Sequence, residues 1–193
     1  MGVIKTALEI ALEKTETVKS DKSSIDQYEA KQRGKKTANS FLAGEADIAE
    51  IIKKTPPEQQ DSLKQGIFEV LITQITLPAA NDDGKRIESA GKGLQILINN
   101  SRFTALFKQL VQIISQYKQE AAQYEQAIRQ QYAPKLRQKE EELSRRLGRE
   151  VRIDPFQDPE FTAFYNQNMN ALKSNYEAVI SQFKEEARGL SGK

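Results

Sequence analysis

Over residues 103–128 the apolar side chains recur at alternating spacings of four and three without a slip: Phe103, Phe107, Leu110, Ile114, Tyr117, Ala121, Tyr124 and Ile128. This spacing keeps one narrow stripe of a helix turned toward a neighbour, the pattern of helices that pair along their length. It does not suit a strand, whose side chains alternate faces with a period of two. With Phe107 at the first heptad position, Gln109, Gln112, Gln116, Gln119, Gln123, Gln126 and Gln130 all fall opposite the stripe. They read as a solvent face, with lateral docking through adaptable amides as the functional alternative. Val111 and Ile113 widen the stripe near its start, while Lys118, Glu120 and Glu125 narrow it further on. A wide stripe contacts several helices and a narrow one a single partner, so the beginning of this helix is expected in the body of the protein and the rest is expected to project.

Pro134 interrupts the pattern, where it removes one helix hydrogen bond and should kink the helix. Leu136, Leu143 and Leu147 carry the stripe onward to Gly148, a stop signal that follows Arg145 and Arg146 in the last turn. Residues 150–155 read as extended. Asp158-Pro159-Glu160 then restarts a helix with a cap, a first-turn proline and an early acid. Phe161, Tyr165, Met169, Leu172, Tyr176, Val179 and Phe183 form a second heptad-like stripe, which widens where Ile180 joins Val179. Two such stripes joined by a short connection predict an antiparallel coiled-coil hairpin over residues 101–188, pairing roughly 102–147 with 158–187 and turning at 148–157. A turn centred near Ile153 places Leu143 opposite Phe164 and Tyr124 opposite Phe183. Residues 189–193 read as a frayed tail.

Residues 1–100 read as an N-terminal helical region of four or five helices. Ile4, Leu8, Ala11, Thr15 and Val18 form one stripe that Ile25 and Tyr28 can continue, and the helix either runs on or breaks across 21–44. Thr55-Pro56-Pro57-Glu58 signals a helix start with Thr55 as its cap, and Leu63, Ile67, Val70, Leu71 and Ile75 follow with helical period. Asn81-Asp82-Asp83-Gly84 is a turn. Ile87, Ala90, Leu94, Leu97 and Ile98 mark a further helix, in which Gly91 and Gly93 either permit close approach or weaken it. The fold class is therefore all-α: an N-terminal helical body with a long projecting antiparallel coiled-coil hairpin.

Cysteine and histidine are both absent. Disulfides, thiolate or imidazole ligation of zinc or haem, and Ser-His-Asp or Cys-His catalysis are excluded with them. No cofactor is expected and no catalytic constellation is visible, so the chain reads as a non-enzyme. Gly84-Lys85 and Gly91-Lys92-Gly93 lack the spacing of a phosphate loop. Asp82, Asp83 and Glu88 lack that of a calcium loop. Tyr117, Tyr124, Tyr132, Tyr165 and Tyr176 read as stripe residues with hydroxyls at the rim rather than as stacking platforms. The opening residues lack a secretory pattern, and no stretch is apolar enough to span a bilayer, so the cytoplasm is the expected location. Met1-Gly2-Val3-Ile4-Lys5-Thr6 fits the loose N-myristoylation pattern, which short sequences match freely.

Lys135, Arg137, Lys139, Arg145, Arg146, Arg149 and Arg152 concentrate positive charge near the expected hairpin tip, partly offset by Glu140, Glu141 and Glu142. Arg145, Arg146, Arg149 and Arg152 are the candidate partner-binding residues. Ordinary helix solvation explains the same pattern. Two stretches carry a family likeness. Ile4-Lys5-Thr6-Ala7-Leu8-Glu9-Ile10-Ala11-Leu12-Glu13-Lys14-Thr15 with Gly34-Lys35-Lys36, and Leu147-Gly148-Arg149 through Val151-Arg152-Ile153-Asp154-Pro155 and Asp158-Pro159-Glu160-Phe161, resemble a spirochaete-type bacterial helical family of unknown function. The resemblance implies no activity. The residues themselves point to a non-enzymatic helical scaffold or adaptor with a protein partner at the hairpin or its tip. The alternative is a nucleic-acid- or ribosome-associated protein using that tip. The net charge of only +2 gives no general pull toward nucleic acid, and the coiled coil leaves room for an oligomer.

Overall fold

The computed structural model describes residues 7–79 and 84–192, with side chains from residue 23 onward. The described residues form six α-helices: α1 (Ala7–Leu42), α2 (Ile48–Lys54), α3 (Pro57–Thr73), α4 (Lys85–Ile98), α5 (Ser101–Leu147) and α6 (Pro159–Leu190). A single 3-10 turn, Pro155–Gln157, precedes α6, and no strand occurs among the described residues. The fold class is all-α. The chain divides into two compact units. The first takes the described residues through Ile75 together with Lys85–Asn100, and the second takes Ser101 onward with the described part of 76–84.

In the first unit α1 is continuous across 21–42. It packs antiparallel to α3 at a close crossing made by two glycines. A Cβ on Gly34 would stand 2.1 Å from the Leu63 carbonyl oxygen, and one on Gly66 would stand 2.1 Å from that of Lys31. Each helix therefore lies directly on the other's backbone, which no residue with a side chain permits. Ala30, Thr37 and Ala38 continue the small-residue face of α1, and Leu63, Ile67, Leu71 and Ile75 are buried. Glu69 of α3 closes the rim on Lys31 at 2.6 Å and Lys35 at 3.3 Å. The buried face of α1 thus differs from the expected stripe, because Ile25 and Tyr28 are exposed. Close approach to α3 selects small residues there, not large ones. Gly93 is buried in α4, where an added Cβ would meet Leu71, Phe41 and Ile48.

Thr55 corrects the expected helix start. It ends α2 instead of opening α3, its hydroxyl donating to the Ile51 carbonyl at 2.8 Å. Pro56 holds the N-cap position of α3 with no side-chain cap. The side chains of Leu8, Ala11, Thr15 and Val18, together with Gly2, Ile4, Asn81, Asp82, Asp83 and Lys193, lie outside the described residues, as do the readings that rest on them.

In the second unit α6 runs antiparallel to α5. Phe183 packs on Phe103 and Phe107 at ring-centroid distances of 5.9 and 6.3 Å. Tyr176 meets Tyr117 at 5.1 Å and Phe161 meets Tyr132 at 5.2 Å. Pro134 lies inside α5, which is continuous through it. Phe103, Phe107, Leu110, Ile114, Ile128 and Tyr132 are buried, whereas Tyr124 is 41% exposed. On α6 Ile180 takes the buried position that the periodicity gave to Val179.

The register is the main correction. Leu143 does not face Phe164, whose ring lies 6.1 Å from Tyr132, and Tyr124 does not face Phe183. The true pairing is offset from the expected one by about two heptads. A shift of whole heptads returns every stripe residue to the same face, so periodicity alone cannot separate the two registers.

Candidate functional site

The offset has a local cause at the end where α5 hands over to α6. Gly148 takes a positive φ of 64° just past the last turn of α5. Such a conformation is easy for glycine and reverses the chain sharply. The connection then folds back along α5 instead of arching over its end. The Val151 amide donates to Ser144 Oγ at 2.9 Å, and the Ile153 amide donates to Glu140 Oε1 at 2.8 Å. Asp154 caps the 3-10 turn through the Phe156 amide at 3.0 Å, and Asp158 caps α6 through the Glu160 amide at 2.9 Å. Because the connection uses its length running backward, α6 begins beside Lys139, and the last two turns of α5 extend beyond it.

A five-residue clasp holds this arrangement. Lys139 Nζ lies 2.7 Å from Asp158 Oδ2 and 2.7 Å from Glu160 Oε2. Tyr132 Oη sits 3.3 Å from both carboxylates, and Lys135 Nζ lies 2.9 Å from Glu160. Asp158 is 4% exposed, so its charge is desolvated and needs these partners. The hydrogen bond from Lys139 holds the Asp158 carboxyl below the usual carboxylate range. Hydrogen bonds from Lys139 and Lys135 bring Glu160 down to about 2. The two carboxylates raise Lys139 above the ordinary lysine range, and burial raises Tyr132. Every shift moves a group away from neutrality. General acid–base chemistry needs the opposite, a pKa brought toward the working pH. The cluster is chemically a clasp.

Around the clasp lies an open groove of about 360 Å³, with Leu143, Ile153 and Pro159 as its apolar part and Arg146 and Gln157 on its walls. Of the four candidate arginines only Arg146 lines it. Arg146 pairs with Glu142 at 2.6 Å, Arg145 with Glu141 at 3.6 Å and Arg152 with Glu150 at 3.3 Å. Arg149 is exposed and makes no ion pair among the described residues. These pairs are open to solvent, Arg145 being 82% and Arg152 87% exposed, so they order the side chains weakly. Leu147 is 57% exposed beside them.

The model of a family of unknown function, DUF6657, matches residues 49–189. The chain belongs to this family. The DUF6657 match runs from the start of α2 to the end of α6 and takes in the clasp, the groove and all four arginines. It also takes in the C-terminal stretch that carries the family likeness, but not residues 4–15 or Gly34-Lys35-Lys36. No curated protein and no solved structure matches the chain.

The remaining motifs fall as follows. Gly91 and Gly93 are buried inside α4, and Gly93 lets the helix approach Leu71, Phe41 and Ile48 closely. Among the described residues no three His, Cys, Asp or Glu side chains stand together to hold a metal ion, and no helix is long and apolar enough to cross a membrane. Tyr176 donates to Glu120 at 2.6 Å, and Tyr165 Oη lies 3.5 Å from Glu125. Stripe tyrosines therefore do reach polar partners at the rim. Sequence reasoning missed the clasp. Asp158 and Glu160 were legible as cap and first-turn acid, but nothing in the spacing says that Lys139 faces them, since that depends on the register.

Proposed function

We propose that the chain is a non-enzymatic helical scaffold or adaptor of the cytoplasm, contacting a protein partner at the connection end of the coiled-coil hairpin that α5 and α6 form. One observation carries this reading. The clasp fixes a connection end whose outer surface is Leu143, Leu147, Arg145, Arg149 and Arg152, with the groove between. Arginine beside exposed apolar side chains on a preorganised frame is the composition of a protein-contact surface. The pKa shifts of the clasp support a holding role over a reactive one.

The nucleic-acid reading has less behind it. From residue 135 to 158 seven Lys and Arg stand against six Asp and Glu, and three of the four arginines already have carboxylate partners. Phosphate binding rests on uncompensated positive charge. The test is affinity capture from the native organism with the natural chain and with Arg145→Glu, Arg146→Glu and Arg149→Glu combined. Loss of a discrete protein partner with unchanged helicity is the expected result. Equal capture by both chains removes the connection end as the contact. Salt-sensitive binding of RNA by the natural chain, abolished in the triple variant, favours the alternative.

A further inference from the structure

The connection between α5 and α6 contains a stretch of backbone bonded along one edge and open along the other. The amides of Val151 and Ile153 reach Ser144 Oγ and Glu140 Oε1 on α5. Two amides that are two residues apart and point the same way require extended backbone, in which successive residues turn their N–H and C=O groups to opposite edges. The side chains agree with this. Val151 and Ile153 are half-buried, while Glu150, Arg152 and Asp154 are exposed. Asp154, next in the chain, is extended at φ −65° and ψ 122°. The N–H and C=O groups of Glu150 and Arg152 therefore face away from α5, and none of them has a partner among the described residues. The Glu150 and Arg152 side chains are 80% and 87% exposed, so nothing covers this edge. The turn at Gly148 and the two bonds to α5 hold the segment in place.

An open edge of this kind is a template for one more strand. Only an extended polypeptide offers both donors and acceptors at the matching repeat of about 6.6 Å. A phosphate backbone offers acceptors alone. Charge then selects among extended segments. Residues 143–153 carry four arginines and one glutamate. Glu142 and Glu150 each bond one nitrogen of Arg146 and Arg152, and Glu141 stands 3.6 Å from Arg145. Arg149 has no carboxylate partner among the described residues. A guanidinium carries five N–H donors, so most of this donor capacity stays open. A second copy of the chain would set these arginines against their own kind, which opposes self-pairing along the edge. We propose that this edge takes an extended, carboxylate-bearing segment of a partner protein. The segment pairs with the backbone of Glu150 and Arg152 as an added strand, and its carboxylates meet Arg149 and Arg152. This rests on the reading of the connection end as the contact, and it names the chemistry of what docks there.

The test is a titration of the nitrogen-15-labelled full chain with an acetylated, amidated eight-residue peptide of alternating valine and glutamate. The Glu150 and Arg152 amide signals are expected to shift more than those of Val151 and Ile153, which are already bonded. The same peptide methylated at every backbone nitrogen keeps its charge and loses its donors, and should bind at least about tenfold more weakly. Arg152→Pro removes one donor of the open edge in a conformation that extended backbone accepts. It should bind the peptide more weakly than Arg152→Ala, which loses only the side chain. Circular dichroism confirms that both variants keep their helicity. Equal binding of the two peptides, equal binding by the two variants, or no amide shift at millimolar peptide overturns the proposal. So does an oligouridylate of the same charge that binds more tightly than the peptide. The capture experiment with Arg145→Glu, Arg146→Glu and Arg149→Glu separates this failure from that of the contact itself. A partner lost in that variant, with no peptide effect on the natural chain, keeps the connection end as the contact and removes the added strand. Capture unchanged by that variant removes both.

Discussion

Asp158 performs two tasks with one side chain. Its Oδ1 caps α6, and its Oδ2 takes the Lys139 ammonium at 2.7 Å. Asp158 and Glu160 both sit below their ordinary values, so their contribution to stability is present above the unfolded carboxylate range and is lost as pH falls through the folded values. For Glu160 that window runs from 4.5 to about 2. Lys139 is raised, so its contribution is full below its unfolded value of 10.5 and is lost only as pH rises past that. The clasp should therefore hold across neutral pH and fail in acid. Lys139→Met should lower the thermal midpoint at neutral pH and make the loss of stability in acid shallower, both read by circular dichroism melts across pH. An unchanged acid profile would show that the clasp contributes nothing. In the first unit, Gly34→Ala or Gly66→Ala forces a methyl against backbone and should destabilise by about 1–3 kcal/mol or more. Gly189→Ala, with nothing within 4 Å of the new methyl, should be neutral or slightly stabilising in urea denaturation.

At the scale of elements, the helices were the most legible part. The four-and-three spacing of α5, the cap at Asp158 and the stop at Gly148 are local signals, and each corresponds to a feature of the structure. What the sequence withheld depends on partners distant in the chain. The face of α1 was misread at Ile25 and Tyr28 because a stripe of large residues is a louder signal than Ala30, Gly34 and Thr37, yet these small residues make the contact with α3. The pairing of α5 with α6 was misplaced by about two heptads because the stripe repeats itself. The hydrogen bonds that break the degeneracy, Tyr176 to Glu120 and Lys139 to Asp158, are single events with no periodicity. Cysteines at Tyr117 and Tyr176, in a chain without others, should join within one molecule through a short bis-maleimide, whereas cysteines at Leu143 and Phe164 should not. The reverse pattern would restore the register centred on Ile153. Phe161→Ala removes a ring that is 1% exposed and packs on Tyr132, and should cost about 3–5 kcal/mol.

At the scale of the molecule, the surface of the second unit is partitioned. Charges gather near the connection end, the middle of the α5–α6 pair is nearly bare of them, and the clasp joins the start of α6 to α5 about two turns before the end of α5. The family match spans this unit to the end of α6 and attaches no activity to it. The candidate arginines could be read from the sequence as a cluster. Their ion pairs with Glu141, Glu142 and Glu150, and the groove that only Arg146 lines, required the structure. The central claim is that the chain works by contact at this connection end. Hydrogen–deuterium exchange of the full chain, free and in the complex captured from the native organism, tests it most directly. Amides of residues 143–153 should exchange more slowly in the complex, while those of α3 and α4 stay unchanged. Protection confined to other segments, with 143–153 exchanging as in the free chain, would contradict the account.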